Sequence, residues 1–153
     1  VLPNRVVYNI TEREPVALLV DGGALHYVDG DARAFARLAP RYGDSGLPLV
    51  RDASAAELRR AVAFLGRIRK DDPELYSRVS EISPLAPESF VIFDRALSAP
   101  LFVRESDASA KWHALYRIAT AERLQRGAIA YVDLRFNDRI VIKPRDARDV
   151  AAQ

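Results

Sequence analysis

A chain of 153 residues, 49% hydrophobic and 29% charged, can bury one ordinary core with room for a small appendage. Its net charge of +2 comes from arginines scattered along the chain rather than gathered in a stripe, which argues against nucleic acid as a partner. With no cysteine and two histidines, it lacks a disulfide framework and the donors of a typical zinc site.

No apolar run approaches the ~20 residues of a membrane span. The start, Val1-Leu2-Pro3-Asn4, does not read as a signal peptide. Methionine is absent even from position 1, which points to a processed chain or a piece of a longer one. Arg5 to Glu12 alternates, with Val6, Tyr8 and Ile10 on one side, and predicts a strand interrupted by Arg13-Glu14-Pro15. Val16 to Val20 predicts a buried strand. Asp21-Gly22-Gly23 turns the chain into Leu25 to Val28, and Asp29-Gly30-Asp31 turns it again toward Phe35; both are hairpin signals. Residues 37–53, with Pro40, Gly43, Gly46 and Pro48, read as loop.

Ser54 followed by Glu57 is a capping box, and Leu58, Ala61, Val62, Leu65 and Ile68 form the apolar stripe of a first helix. A shorter helix is capped by Asp72 with Pro73 in its first turn and carries Leu75, Tyr76 and Val79. Residues 80–104 hold two or three strands, clearest at Phe90 to Phe93 and Leu101 to Arg104. A third helix starts near Asp107 with Trp112, Leu115, Ile118 and Ala119 inward, and stops before Gly127. The order of strands, helix pair, strands, helix and strands predicts an α+β fold: a mixed or antiparallel β-sheet with helices packed on one face.

The last two strands lie within Tyr131 to Pro144, and the charged, alanine-rich residues 145–153 beyond them read as a flexible tail. Val132, Leu134 and Phe136 alternate with Tyr131, Asp133 and Arg135; Ile140 and Ile142 alternate with Arg139, Val141 and Lys143. A three-residue turn, Asn137 to Arg139, sets Phe136 opposite Ile140, Leu134 opposite Ile142, and Asp133 opposite Lys143 for a salt bridge. That register keeps one face wholly apolar. No strand pattern follows, so this C-terminal hairpin is expected to form a sheet edge open to strand addition.

Catalytic signatures are lacking. Asp21, Asp29 and Asp31 flank turns in which aspartate beside glycine is ordinary composition, and their spacing is not that of a calcium loop. His26 has no partner at a recognisable spacing, and no nucleophile elbow, P-loop or dinucleotide fingerprint occurs. His113 reads as a surface residue and Trp112 as helix core. No catalytic residue, cofactor or metal is assigned.

Two stretches resemble the extracytoplasmic part of the cell-division family FtsQ/DivIB. Leu2-Pro3-Asn4 through Thr11-Glu12-Arg13-Glu14-Pro15-Val16-Ala17 is similar to the last strand of that family's POTRA domain and its crossing into the β domain; Tyr131 to Phe136 is similar to the penultimate strand. The resemblance implies a POTRA-like strand and linker at 1–17, an FtsQ-type β domain at 18–144 and a tail at 145–153. It implies a non-catalytic divisome scaffold, single-pass in the inner membrane through a helix upstream of Val1, with this region in the periplasm. Its implied role is to help regulate septal peptidoglycan synthesis by binding FtsB and FtsL, FtsB adding a strand at residues 139–143, with no nucleic acid or small-molecule substrate. The implied partner-binding residues are Tyr131, Phe136, Asp138, Arg139, Ile140, Val141, Ile142 and Lys143. The family's arginine before the strand matching Phe90 to Phe93 has no counterpart in Ala86-Pro87-Glu88-Ser89, and the Asn137-Asp138-Arg139 turn lacks a glycine. A competing reading places the POTRA-like start in outer-membrane protein assembly or secretion, where such modules chaperone client strands.

Overall fold

The computed structural model describes residue 9 and residues 12–39, 46–85 and 87–145. In chain order the elements are β1 (Pro15–Asp21), β2 (Ala24–Asp29), β3 (Ala34–Arg37), β4 (Leu49–Val50), α1 (Ala55–Asp71), α2 (Pro73–Arg78), β5 (Val79–Leu85), β6 (Ser89–Asp94), β7 (Ala99–Arg104), α3 (Ala108–Ala121), β8 (Ile129–Asp133) and β9 (Val141–Pro144). The strand expected at Arg5 to Glu12 lies outside the described residues, apart from Asn9 and Glu12, neither of which is in a strand. The expected tail also lies outside them beyond Arg145.

All nine strands form one sheet in the order β3-β2-β1-β4-β5-β6-β7-β8-β9. Pairing is antiparallel except at β1–β4, β4–β5 and β7–β8, which are parallel. The sheet is therefore mixed, with helices on one face, as the order of elements predicts. Two-residue β4 corrects the reading of residues 37–53 as loop throughout. It is too short to carry a periodic signal, yet it joins β1 to β5 by Leu18↔Leu49, Leu19↔Val50, Leu49↔Glu81 and Val50↔Ile82.

Local chemistry explains most elements. The β1–β2 hairpin turns on Gly22 and Gly23, both at positive φ, as a two-residue turn of the I′ kind requires. At the next turn Asp29 replaces missing strand partners: its Oδ1 accepts from the N–H of Asp31 at 3.0 Å and of Arg33 at 2.9 Å. The Ser54 hydroxyl accepts from the N–H of Glu57, whose carboxylate accepts from the N–H of Ser54 at 2.8 Å, so both halves of the capping box form. Asp72 caps α2 through the N–H of Leu75 at 3.1 Å.

α3 departs from expectation at its end. It stops at Ala121, six residues before Gly127, because Arg123 adopts the left-handed conformation (φ 51°). Its N–H reaches the carbonyl of Thr120 and the N–H of Leu124 reaches that of Ala119, a Schellman closure made without glycine. Gly127 instead turns the chain into β8. Ile118, expected inward, is 38% exposed, whereas Trp112, Leu115 and Ala119 are buried. The apolar face of α3 is narrower than its composition implies.

The core lies between the helices and one sheet face. Leu19, Val50, Ile82, Ile92, Leu101, Val132 and Ile142 are successive register partners from β1 to β9; the middle five are fully buried. Onto this row α1 packs Leu58, Val62, Phe64, Leu65 and Ile68, and α3 packs Trp112 and Leu115. Full burial of each such side chain contributes about 1.5–3 kcal/mol. On the opposite face Ser83, Val91, Phe102, Asp133 and Val141 are likewise register partners, and none of the helices among the described residues packs its buried stripe there.

A buried carboxylate ties α3 to the sheet. Asp94, at the end of β6 and fully buried, accepts from Trp112 Nε1 at 2.8 Å, from the Tyr116 hydroxyl, and from the N–H groups of Ala96 and Leu97. Four donors thus converge on it, and a buried carboxyl is tolerated when it is hydrogen-bonded in this way.

Candidate functional site

β9 ends the sheet order: it pairs with β8 on one side and with no other strand among the described residues. An antiparallel edge strand turns the N–H and C=O groups of alternate residues away from its single neighbour.

The register differs from the expected one by two residues. Tyr131, Val132 and Asp133 face Lys143, Ile142 and Val141 respectively. A shift of two preserves which face each side chain occupies, so Ile142 still joins the apolar row. The connection, however, spans Leu134 to Ile140 rather than three residues, and Arg139 and Ile140 precede the strand. The expected Asp133–Lys143 salt bridge is replaced. Asp133 takes both Nε (2.9 Å) and Nη2 (2.6 Å) of Arg135 plus that residue's N–H, and Lys143 lies over the Tyr131 ring at 5.8 Å. The paired guanidinium holds the Asp133 carboxyl below the ordinary carboxylate range, against the opposing effect of burial.

Long-range contacts explain why the turn is long. Leu134 still donates its N–H to the carbonyl of Phe102 on β7 at 2.8 Å. Arg104 donates to the carbonyl of Arg135 and to Asn137 Oδ1, the latter at 2.7 Å, while Lys111 of α3 donates to the carbonyl of Phe136. The sequence marks Asn137 as a turn residue but does not single out Arg104 or Lys111. Each reaches the turn from more than 20 residues away, and no local pattern marks such a meeting.

The eight residues expected at the site fall into three groups. Tyr131 is half-buried on the helix-free face and meets Phe102 edge-to-face, with ring centroids 5.9 Å apart. Phe136 is 40% exposed and is not opposite Ile140; it stacks beneath Arg139, whose guanidinium carbon is 4.9 Å from the ring centre. Asp138 and Arg139 project into solvent with a loose 3.9 Å ion pair. Ile140 and Ile142 are half-buried against the core, Val141 is half-buried on the other face, and Lys143 is exposed. The structure thus gathers Phe136 to Lys143 along one edge and sets Tyr131 behind it.

Elsewhere, a cleft of about 600 Å³ between α2 and α3 is lined by Leu75, Arg78, His113 and Tyr116 among others. Several of its polar groups are engaged with neighbours. His113 contacts Asp72, Arg78 lies 3.6 Å over the Tyr116 ring and pairs with Glu74, and Tyr116 donates to Asp94. Burial, and then the adjacent Asp94 carboxylate, raise the Tyr116 phenol well above its usual range, so it remains a donor. Asp29 is committed to its turn and to Arg13 at 2.5 Å, and His26 Nδ1 is buried without a hydrogen-bond partner. Among the described residues no three of His, Cys, Asp and Glu are placed to hold a metal, and no helix is long and apolar enough to cross a membrane.

Comparison with known proteins agrees with this architecture. The model of the C-terminal domain of cell-division protein FtsQ/DivIB matches residues 17–135, from β1 to just past β8, so β9 lies beyond the matched span. Cell division protein FtsQ of Geotalea daltonii is 26% identical over 152 residues, covering 93% of this chain; the chain spans 55% of that relative's length. The major extracytoplasmic domain of DivIB from Geobacillus stearothermophilus shares the fold, with a TM-score of 0.50 at 14% identity over 75% of this chain and 98% of that domain. A match over more than half of the sequence places this chain in the FtsQ/DivIB family of cell-division proteins.

Proposed function

We propose that this chain is part of a non-catalytic division scaffold that receives a strand of FtsB, with FtsL in the same assembly, along β9, and thereby helps regulate septal peptidoglycan synthesis. In this reading residues 1–17 are the end of a POTRA-like module and its linker, residues 18–144 are the docking domain, and the region works in the periplasm, anchored from upstream. The observation that carries it is the terminal place of β9: an apolar row seven strands long stops at half-buried Ile142, with no further strand beyond it among the described residues. Tyr131, Phe136, Asp138, Arg139, Ile140, Val141, Ile142 and Lys143 form the contact surface. Family membership favours this reading over outer-membrane assembly.

Main-chain pairing along β9 supplies about three hydrogen bonds, each worth roughly 0.5–1.5 kcal/mol net, so pairing alone binds weakly. Side chains at Phe136 and Ile140 and further partner contacts must add to it. Lys143 and Pro144 fit an edge protected from indiscriminate pairing.

Proline at 141 and at 142, tested separately, decides the matter, because neighbouring strand residues aim their N–H groups to opposite sides. The variant that removes the outward donor should abolish capture of FtsB while circular dichroism stays native. Full capture by both variants would overturn the proposal.

A further inference from the structure

The two faces of β9 differ in kind. Toward the helices lie Ile140 and Ile142, half-buried and packed against the core, with their outer flanks at the end of the sheet. Toward the helix-free side the register places Val141 and Lys143. Most cations nearby are matched: Arg135 by Asp133, and Lys111 by Asp107 at 3.3 Å. Two at the edge itself are not. Lys143 has no carboxylate within salt-bridge reach among the described residues, and Arg139 has only the loose 3.9 Å contact with Asp138.

Resting on the edge-pairing reading above, we propose that the strand received by β9 alternates apolar residues facing the helices with acidic residues facing the open side of the sheet, where its carboxylates meet Lys143 and Arg139. Strand periodicity of two turns these two surfaces into one sequence rule. An apolar residue opposite Ile142 extends the buried row by one strand, and a carboxylate opposite Lys143 makes the cross-strand ion pair that this sheet lacks at that place. A strand with lysine at the same positions would set like charges face to face, which rejects the wrong partner as strongly as the acidic one is attracted. Steering by these exposed cations also makes association faster at low salt.

Three dye-labelled ten-residue peptides of equal length test this on the 153-residue chain by fluorescence anisotropy: alternating valine and glutamate, alternating valine and lysine, and the valine–glutamate composition in scrambled order. The alternating glutamate peptide is expected to bind at least tenfold more tightly than either other peptide. In an Arg139→Glu/Lys143→Glu variant the preference should reverse toward the lysine peptide. Equal binding of the glutamate and lysine peptides, equal binding of the scrambled peptide, an unchanged preference in the charge-reversed variant, or no binding of the glutamate peptide would each overturn the alternation rule. Equal binding that disappears in the edge-proline variants would remove the rule while leaving edge pairing intact, so the two failures are separable.

Discussion

The sheet has two edges, built to different standards. At β3 every residue from Ala34 to Arg37 is exposed, and Phe35 merely stacks on Tyr27 with ring centroids 6.1 Å apart. At β9, Val141 and Ile142 are half-buried, Ile142 extends the core row, and the preceding loop is held by Arg104 and Lys111. An edge with both faces in water has no side-chain surface with which to choose a partner. One with a packed face and a charged face does. Openness at an edge is therefore not sufficient for docking; the difference lies in what stands behind the strand.

The strongest way to break this comparison is to remove the support behind the β9 half. Asp94→Ala strips an acceptor from Trp112, Tyr116 and two backbone N–H groups at once, so a loss of about 3–5 kcal/mol is expected. Urea unfolding monitored by the single tryptophan measures it; a loss below 1 kcal/mol would mean that α3 is held to the sheet by other means. A smaller contrast compares charge at the two edges. Ile142→Asp should cost about 1–3 kcal/mol, whereas Ala34→Asp stays within about 0.5 kcal/mol, and similar losses would erase the distinction.

Each half of the sheet also carries an aspartate whose carboxyl lies below the ordinary range. For Asp29 the leading cause is the backbone N–H of Arg33, aided by Arg13; for Asp133 it is the Arg135 side chain. A lowered folded value gives stability that is present above the unfolded value near 4 and lost as pH falls through the folded one. The acid limb of the stability curve should therefore lie below roughly pH 4, and Asp29→Asn and Asp133→Asn should each flatten it. If neither does, the limb belongs to other carboxylates. The smallest effect is a gain: Arg123→Gly relieves a left-handed non-glycine residue and should stabilise the chain by about 0.5–1 kcal/mol, read as a raised urea midpoint.

What is legible in the sequence is what is local. Ser54 with Glu57, Asp72 with Pro73, and Gly22 with Gly23 announce caps and a hairpin through residues at most three apart, and each forms as expected. The alternation of Val132 and Ile142 correctly identified the faces of the last two strands but not their register. Arg104 and Lys111, contributed by β7 and α3, claim the carbonyls of Arg135 and Phe136 and lengthen the turn. Arg123 and β4 were missed for related reasons. A left-handed arginine is an exception to the glycine preference, and two residues are too few to display a period.

The short β4 has a mechanical consequence. It joins the antiparallel block β1–β3 to the strands β5–β9 at Leu49 and Val50 by parallel pairing, reinforced by the Arg51–Glu81 ion pair at 2.9 Å. Traction between the Pro15 end and anything gripping β9 crosses that narrow seam. Helix α1, which touches both β1 and β5, lies across it like a splint, so the strength of the domain under load depends on that helix as well as on the sheet.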